Sequence, residues 1–189
     1  MFLLYALPVG LLVGLVLGGR LAGLAALTFR WGMLAVAGFA LQILLFSDPV
    51  SQRIGMAGPP VYVASTALVL VAVIRNFRIT GMPLVVLGAA SNLAAIVANG
   101  GYMPARHAAD AAAGYSNTRV IPSPALEPLT DVIALPAWLP FTNIMSIGDL
   151  LIGLGIAVVI AAAMRANGRT AAQSADGSPD PLLKGTSPF

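Results

Sequence analysis

Residues 79–98 read ITGMPLVVLGAASNLAAIVA, twenty positions without one charged side chain. The ~30 Å hydrocarbon core of a bilayer takes about 20 predominantly apolar residues in a helix, with a range of roughly 17–25. This stretch therefore reads as a membrane span, and it has company on both sides. Residues 1–19 carry no side-chain charge, 31–47 form a shorter apolar run, and 54–74 are uncharged. The helix in 54–74 is expected to begin near Pro60, because Pro is tolerated in a first helical turn. Residues 147–164 hold a single acid, Asp149, in the first turn. These five runs predict an all-α integral membrane protein with about five transmembrane helices and a long Pro-rich extracytoplasmic loop between the fourth and fifth.

The composition agrees. The chain of 189 residues is 58% hydrophobic and 9% charged, with a mean hydropathy of +0.90. Soluble domains carry roughly 25% charged residues, so a soluble globular domain, a disordered chain and a coiled coil are excluded. The first run could be a secretory signal, but such a signal carries basic residues ahead of its apolar core. Here the first base, Arg20, comes after it, and a retained helix is expected.

Orientation follows from the basic residues of alternate loops. Arg20, Arg30, Arg75, Arg78, Arg165, Arg169 and Lys184 fall on one side, and Arg53, Arg106 and Arg119 on the other. With five spans this predicts the N-terminus outside and the C-terminus inside, in a cytoplasmic membrane. Residues 1–165 then form the transmembrane domain and 166–189 a flexible cytoplasmic tail. Residues 99–145 contain six of the 14 prolines. The same segment holds too many apolar side chains for a solvated linker, so an ordered cap on the outer face is expected.

Zero Cys and one His, His107, remove disulfides, thiolate metal sites and paired haem ligands. No metal site, catalytic residue or resident cofactor is predicted. The net charge of +3 comes without a Lys/Arg cluster, which excludes a nucleic-acid partner. No ionisable residue lies deep in a span, whereas ion-coupled carriers need such groups or broken helices at the midplane.

Four motifs stand out. Gly10, Gly14 and Gly18 recur every four residues, a spacing that lines one helix face and lets another backbone come close. Asn92 sits in the middle of its span, where a polar side chain seeks an interhelical partner. Gln42, Ser65 and Thr66 are candidates. Asn99-Gly-Gly-Tyr-Met-Pro104 is a helix stop. Ser146-Ile-Gly-Asp149 has the spacing of a capping box, and its carboxylate also faces the cap, able to hold Arg106 or Arg119.

Taken together, Asn99–Pro104, Ser116-Asn117, Leu129-Thr-Asp131 with Pro136, and Asn143 to Asp149 (NIMSIGD) resemble the bacterial membrane family DUF5317. The resemblance covers roughly residues 1–165 and implies a bacterial cytoplasmic-membrane protein, with no activity attached. Three functions are compatible with these residues. The first expectation is a non-catalytic accessory or scaffolding subunit that packs through its glycine face and uses its outside cap and inside tail for partners, among membrane lipids, other membrane subunits or a second copy of itself. The second is a lipid-, quinone- or small-molecule-binding protein, with Asn99, Tyr102, Asn117, Asp131, Asn143 and Asp149 as polar contacts beneath the loop. The third and weakest is a membrane enzyme using Asp131 and Asp149 as acid and base.

Overall fold

The computed structural model describes residues 3–105, 115–136, 138 and 144–175. The chain is mostly helical. Its α-helices are α1 (Leu3–Val16), α2 (Gly32–Leu45), a single turn α3 (Asp48–Ser51), α4 (Gly58–Ile74), α5 (Met82–Ala98) and α6 (Ile147–Ala175). Two helical stretches, Gly55–Ile74 and Ile147–Ala166, are long and apolar enough to cross a membrane, while Leu4–Val16, Gly32–Leu45 and Met82–Ala98 are shorter apolar helices. The last helix runs on to Ala175 and so takes in the start of the segment expected as a flexible tail. Residues 176–189 lie outside the described residues.

The helix ends obey local chemistry. α4 and α5 carry Pro in their first turns, where the missing N–H costs no intrahelical bond. α5 stops at Asn99, and Gly100 and Gly101 follow with φ of +69° and +88°. Those left-handed conformations suit glycine, and they turn the Gly101 N–H back to Ile96 O at 2.8 Å.

The helices pack as an open row in the order α1, α6, α5, α4, α2. α1 and α2 form its ends, and no packing of similar extent joins them. Glycines set the tightest seam. A Cβ on Gly88 would meet the carbonyl of Gly148, and one on Gly81 would lie 2.6 Å from Gly155 O. Antiparallel α5 and α6 thus meet at two glycine pairs, each seven residues apart within its helix.

At the end where α1 joins α2, the intervening chain crosses the row. Its 3-10 helix, Leu21–Ala26, packs on α6. Asn76 then fastens Arg30, accepting from its N–H at 2.8 Å and donating to its carbonyl at 2.8 Å. At the opposite end the loop between α5 and α6 makes a roof that is not purely helical. Met103–Pro104 pairs in parallel with Thr118–Arg119, and Ile133–Ala134 pairs antiparallel with Ile144–Met145.

Candidate functional site

Roof, floor and helix row border a half-open cavity of about 1380 Å³. All five long helices contribute to its wall, with Leu7 from α1 and Phe39 from α2 at the two ends of the row. Its floor half is apolar, formed by residues such as Leu27, Val73, Met82 and Val159. The polar residues gather at the roof: Tyr62, Asn92, Tyr102, Asn117, Arg119, Asp131 and Asp149. A few polar groups converging in an apolar enclosure are the usual make-up of a small-molecule site.

Asn92 and the capping box form the hinge between wall and roof. Ser146 Oγ accepts from the Asp149 N–H at 3.0 Å, and Asp149 Oδ2 accepts from the Ser146 N–H at 3.3 Å. This is the reciprocal bonding of a capping box, with Asp in the acidic position. Asn92 closes the ring by donating to Asp149 Oδ1 and accepting from Ser146 Oγ, each at 2.8 Å. Its expected partners are otherwise engaged: Gln42 reaches Thr66 at 3.4 Å, and Ser65 and Thr66 both donate to Tyr62 O. The close glycine seam brings α6 within reach of Asn92, which therefore bonds there rather than toward α2 and α4.

Asp131 is positioned by the roof strands. Its N–H donates to Pro104 O at 3.0 Å, and its Oδ1 is closed to solvent with no hydrogen-bond partner. Burial, and secondarily the nearby charge of Asp149, push its carboxyl up to about 7. Asn117 donates to Tyr62 Oη at 3.3 Å. The Arg119 guanidinium lies 3.8 Å from the centroid of the Tyr102 ring, a cation–π arrangement, rather than on Asp149. Tyr102 tilts against Tyr115, whose ring stacks on Phe46. Burial pushes the Tyr115 hydroxyl well above the usual tyrosine range, aided by Tyr62 and Tyr102 and opposed by Arg119.

Four of the six expected ligand residues therefore share one cavity: Tyr102, Asn117, Asp131 and Asp149. Asn99 is not in its wall. Its amide is bonded to both backbone groups of Ala125, at 2.9 Å each, so it fastens the roof because the helix stop turns it away from the cavity. Asn143, Arg106 and His107 lie outside the described residues. Of the glycine face, Gly10 abuts Ala157 and Gly14 abuts Met164 on α6. Gly18 drops out of the row: α1 ends at Val16, and Gly18 has φ +76° with nothing near the place of a Cβ. Sequence reasoning did not single out Tyr62, Tyr115 or Asn76, nor the second glycine seam. Its signal was the matching seven-residue spacing of Gly81/Gly88 and Gly148/Gly155.

The family model described as Family of unknown function (DUF5317) matches residues 26–161. That is most of the chain and includes α2 to α5, the roof and most of the cavity-lining part of α6. The chain belongs to this family. No curated protein and no solved structure matches it.

Proposed function

We propose that this DUF5317 member is a multi-pass protein of the bacterial cytoplasmic membrane that binds an amphiphile, a lipid or a quinone, in the cavity between its helices. The cavity itself carries this reading: an apolar enclosure spanned by all five long helices, with its polar groups collected at one end. An amphiphile lying along a bilayer normal has the same polarity profile. The apolar groups turned outward fit a lipid surround, for Leu12, Val16, Met33 and Ile43 are all more than 60% exposed. Soluble proteins rarely present contiguous apolar surface on this scale.

In this reading α1, α2, α4, α5 and α6 are the five spans. The shorter ones, 14 residues in α1 and in α2, reach ~21 Å at 1.5 Å per residue. Local thinning of the bilayer accommodates such spans at modest cost. The seven-to-three division of basic residues places the roof outside and the floor at the cytoplasmic face. The unpacked gap between α1 and α2 gives a chain in the bilayer a sideways route to the cavity.

The accessory-subunit reading drew on the glycine face of α1, on the outer cap and inner tail as partner surfaces, and on the lack of ionisable side chains deep in the spans. Gly10 and Gly14 of that face pack on α6 of the same chain, so the glycines no longer call for a partner, and the cavity becomes the stronger guide. Asp131 and Asp149 serve here as head-group contacts, with Asp149 already committed to Asn92 and Ser146.

Ala89, on α5, borders the cavity. Ala89→Trp puts a large ring into the space where an apolar chain would lie. Lipid carried through purification in mild detergent is then quantified by mass spectrometry against protein. A several-fold loss in the variant is expected, and equal lipid content in both proteins would overturn the reading.

A further inference from the structure

The roof end of the cavity holds a charge arrangement that a generic amphiphile does not explain. Asp131 borders the cavity, and its Oδ1, closed to solvent, has no hydrogen-bond donor among the described residues. Asp149 shares the same wall, and among the described residues its oxygens accept from neutral donors, the Asn92 amide and the Ser146 N–H. Among the described residues of the wall, the one base is Arg119, and its guanidinium rests on Tyr102. Two carboxyls and three tyrosine rings (Tyr62, Tyr102 and Tyr115) therefore border one half-open cavity.

A buried acceptor without a donor carries a desolvation penalty. The nearby charge of Asp149 makes Asp131 harder to ionise unless a cation comes between them. A primary ammonium supplies the positive charge and three N–H donors at once. Aromatic faces attract cations as well, and the Arg119–Tyr102 pair is an instance at this very site.

The apolar part sets the rest of the molecule. Along α5 the wall runs from Ile96 to Met82, which at 1.5 Å per residue is ~21 Å. One apolar half of a bilayer is about 15 Å thick. A small free amine leaves that length empty, and the chains of a membrane lipid fill it. An anionic head without an amine faces both acids, whereas a phosphodiester joining an ammonium to its chains finds Arg119 at the same end.

Building on the amphiphile reading above, we infer that the cavity binds a lipid whose head group bears a primary ammonium, held between Asp131, Asp149 and the tyrosine rings. The ammonium pairs with the ionised form of Asp131, whose carboxyl burial holds near 7 in the empty site. Affinity thus rises with pH up to about 7, by at most about tenfold per unit, and is level above. Among the described residues, the other charged or titratable groups in the cavity wall at this end are Asp149 on α6, Tyr62 on α4, and Arg119, Tyr102 and Tyr115 in the roof, with Glu127 elsewhere in the roof and the N-terminal amine lowering the Asp131 carboxyl, so Asp131→Asn is needed to assign the slope.

The test uses the full-length protein in detergent micelles with chain-labelled phosphatidylethanolamine and chain-labelled phosphatidylglycerol, from pH 5 to pH 8.5. At pH 8 the first binds about tenfold or more tightly than the second, and its affinity falls below pH 7. Asp131→Asn removes both the preference and the slope. Equal affinity for the two lipids overturns the head-group inference and leaves the amphiphile reading standing. Binding of neither lipid overturns the head-group inference, and the lipid content of the purified protein then decides the amphiphile reading. Displacement of the labelled lipid by soluble ethanolamine at matching concentration shows a free-amine site and also overturns the inference. Should Asp131→Asn fail to fold, the unmodified protein still decides, because a flat or falling profile between pH 5 and 7 contradicts the ammonium.

Discussion

Asn92→Ala cuts the ring that ties α5 to the start of α6. Two hydrogen bonds disappear: the donation to Asp149 Oδ1 and the acceptance from Ser146 Oγ, each 2.8 Å. Interhelical hydrogen bonds in membranes are worth about 0.6 kcal/mol on average and up to ~1.7, so the pair contributes roughly 1–3 kcal/mol. The capping box survives, because Ser146 and Asp149 still bond each other. The loss therefore reports the interhelical tie rather than the helix end. Unfolding in mixed micelles by titration with a denaturing detergent measures it. A double-mutant cycle with Asp149→Ala isolates the shared term, expected at about 0.6–1.7 kcal/mol. The reasoning fails if Asn92→Ala costs under ~0.3 kcal/mol, or if the two substitutions add within the ~0.3–0.5 kcal/mol scatter of independent sites.

Gly10→Ala destabilises the α1–α6 contact more than Gly14→Ala, because its Cβ meets the Ala157 backbone at 2.9 Å while that of Gly14 meets the flexible end of Met164; equal losses in the same unfolding assay count against the packing described. In this Cys-free chain, Val120→Cys and Phe77→Cys place thiols at exposed positions that an impermeant reagent labels from opposite sides of the membrane, and labelling of both from one side refutes the five-span topology. For the empty protein, Asp131 adds a pH dependence of known sign. Its folded carboxyl lies raised at about 7 from 3.8, so the folded state holds its proton more tightly and stability falls as pH rises from about 4 to about 7. Asp131→Asn removes this fall, and thermal unfolding at pH 4.5 and pH 8 shows a smaller difference in the variant than in the unmodified protein.

The features legible in the sequence were those written in local chemistry. Uncharged runs, Pro in first turns, Gly100-Gly101 after Asn99 and the Ser146–Asp149 spacing each act within a few residues, and each appears where those residues stand. Partners set by packing were not legible. Asn92 finds Ser146 and Asp149 at separations of 54 and 57 residues, and only the Gly88–Gly148 approach makes that possible. Asn99 looked like a ligand contact because it is polar and sits at a helix end, yet the turn spends both ends of its amide on Ala125. The short strands of the roof were hidden for a related reason: two-residue ladders such as Met103–Pro104 with Thr118–Arg119 leave no periodic pattern to read. Asp131 was visible as a candidate, but its lack of a partner depends on Pro104, Asp149 and the rings meeting in space.

The account stands or falls on whether the cavity is occupied by an amphiphile in the membrane. Native mass spectrometry of the unmodified full-length protein, released from bacterial membranes in mild detergent, answers that directly. A species heavier than the bare chain by the mass of one lipid or similar amphiphile is expected, stable until collisional activation strips it. The bare chain alone at the gentlest activation, or the chain bound only to other polypeptides, would contradict it.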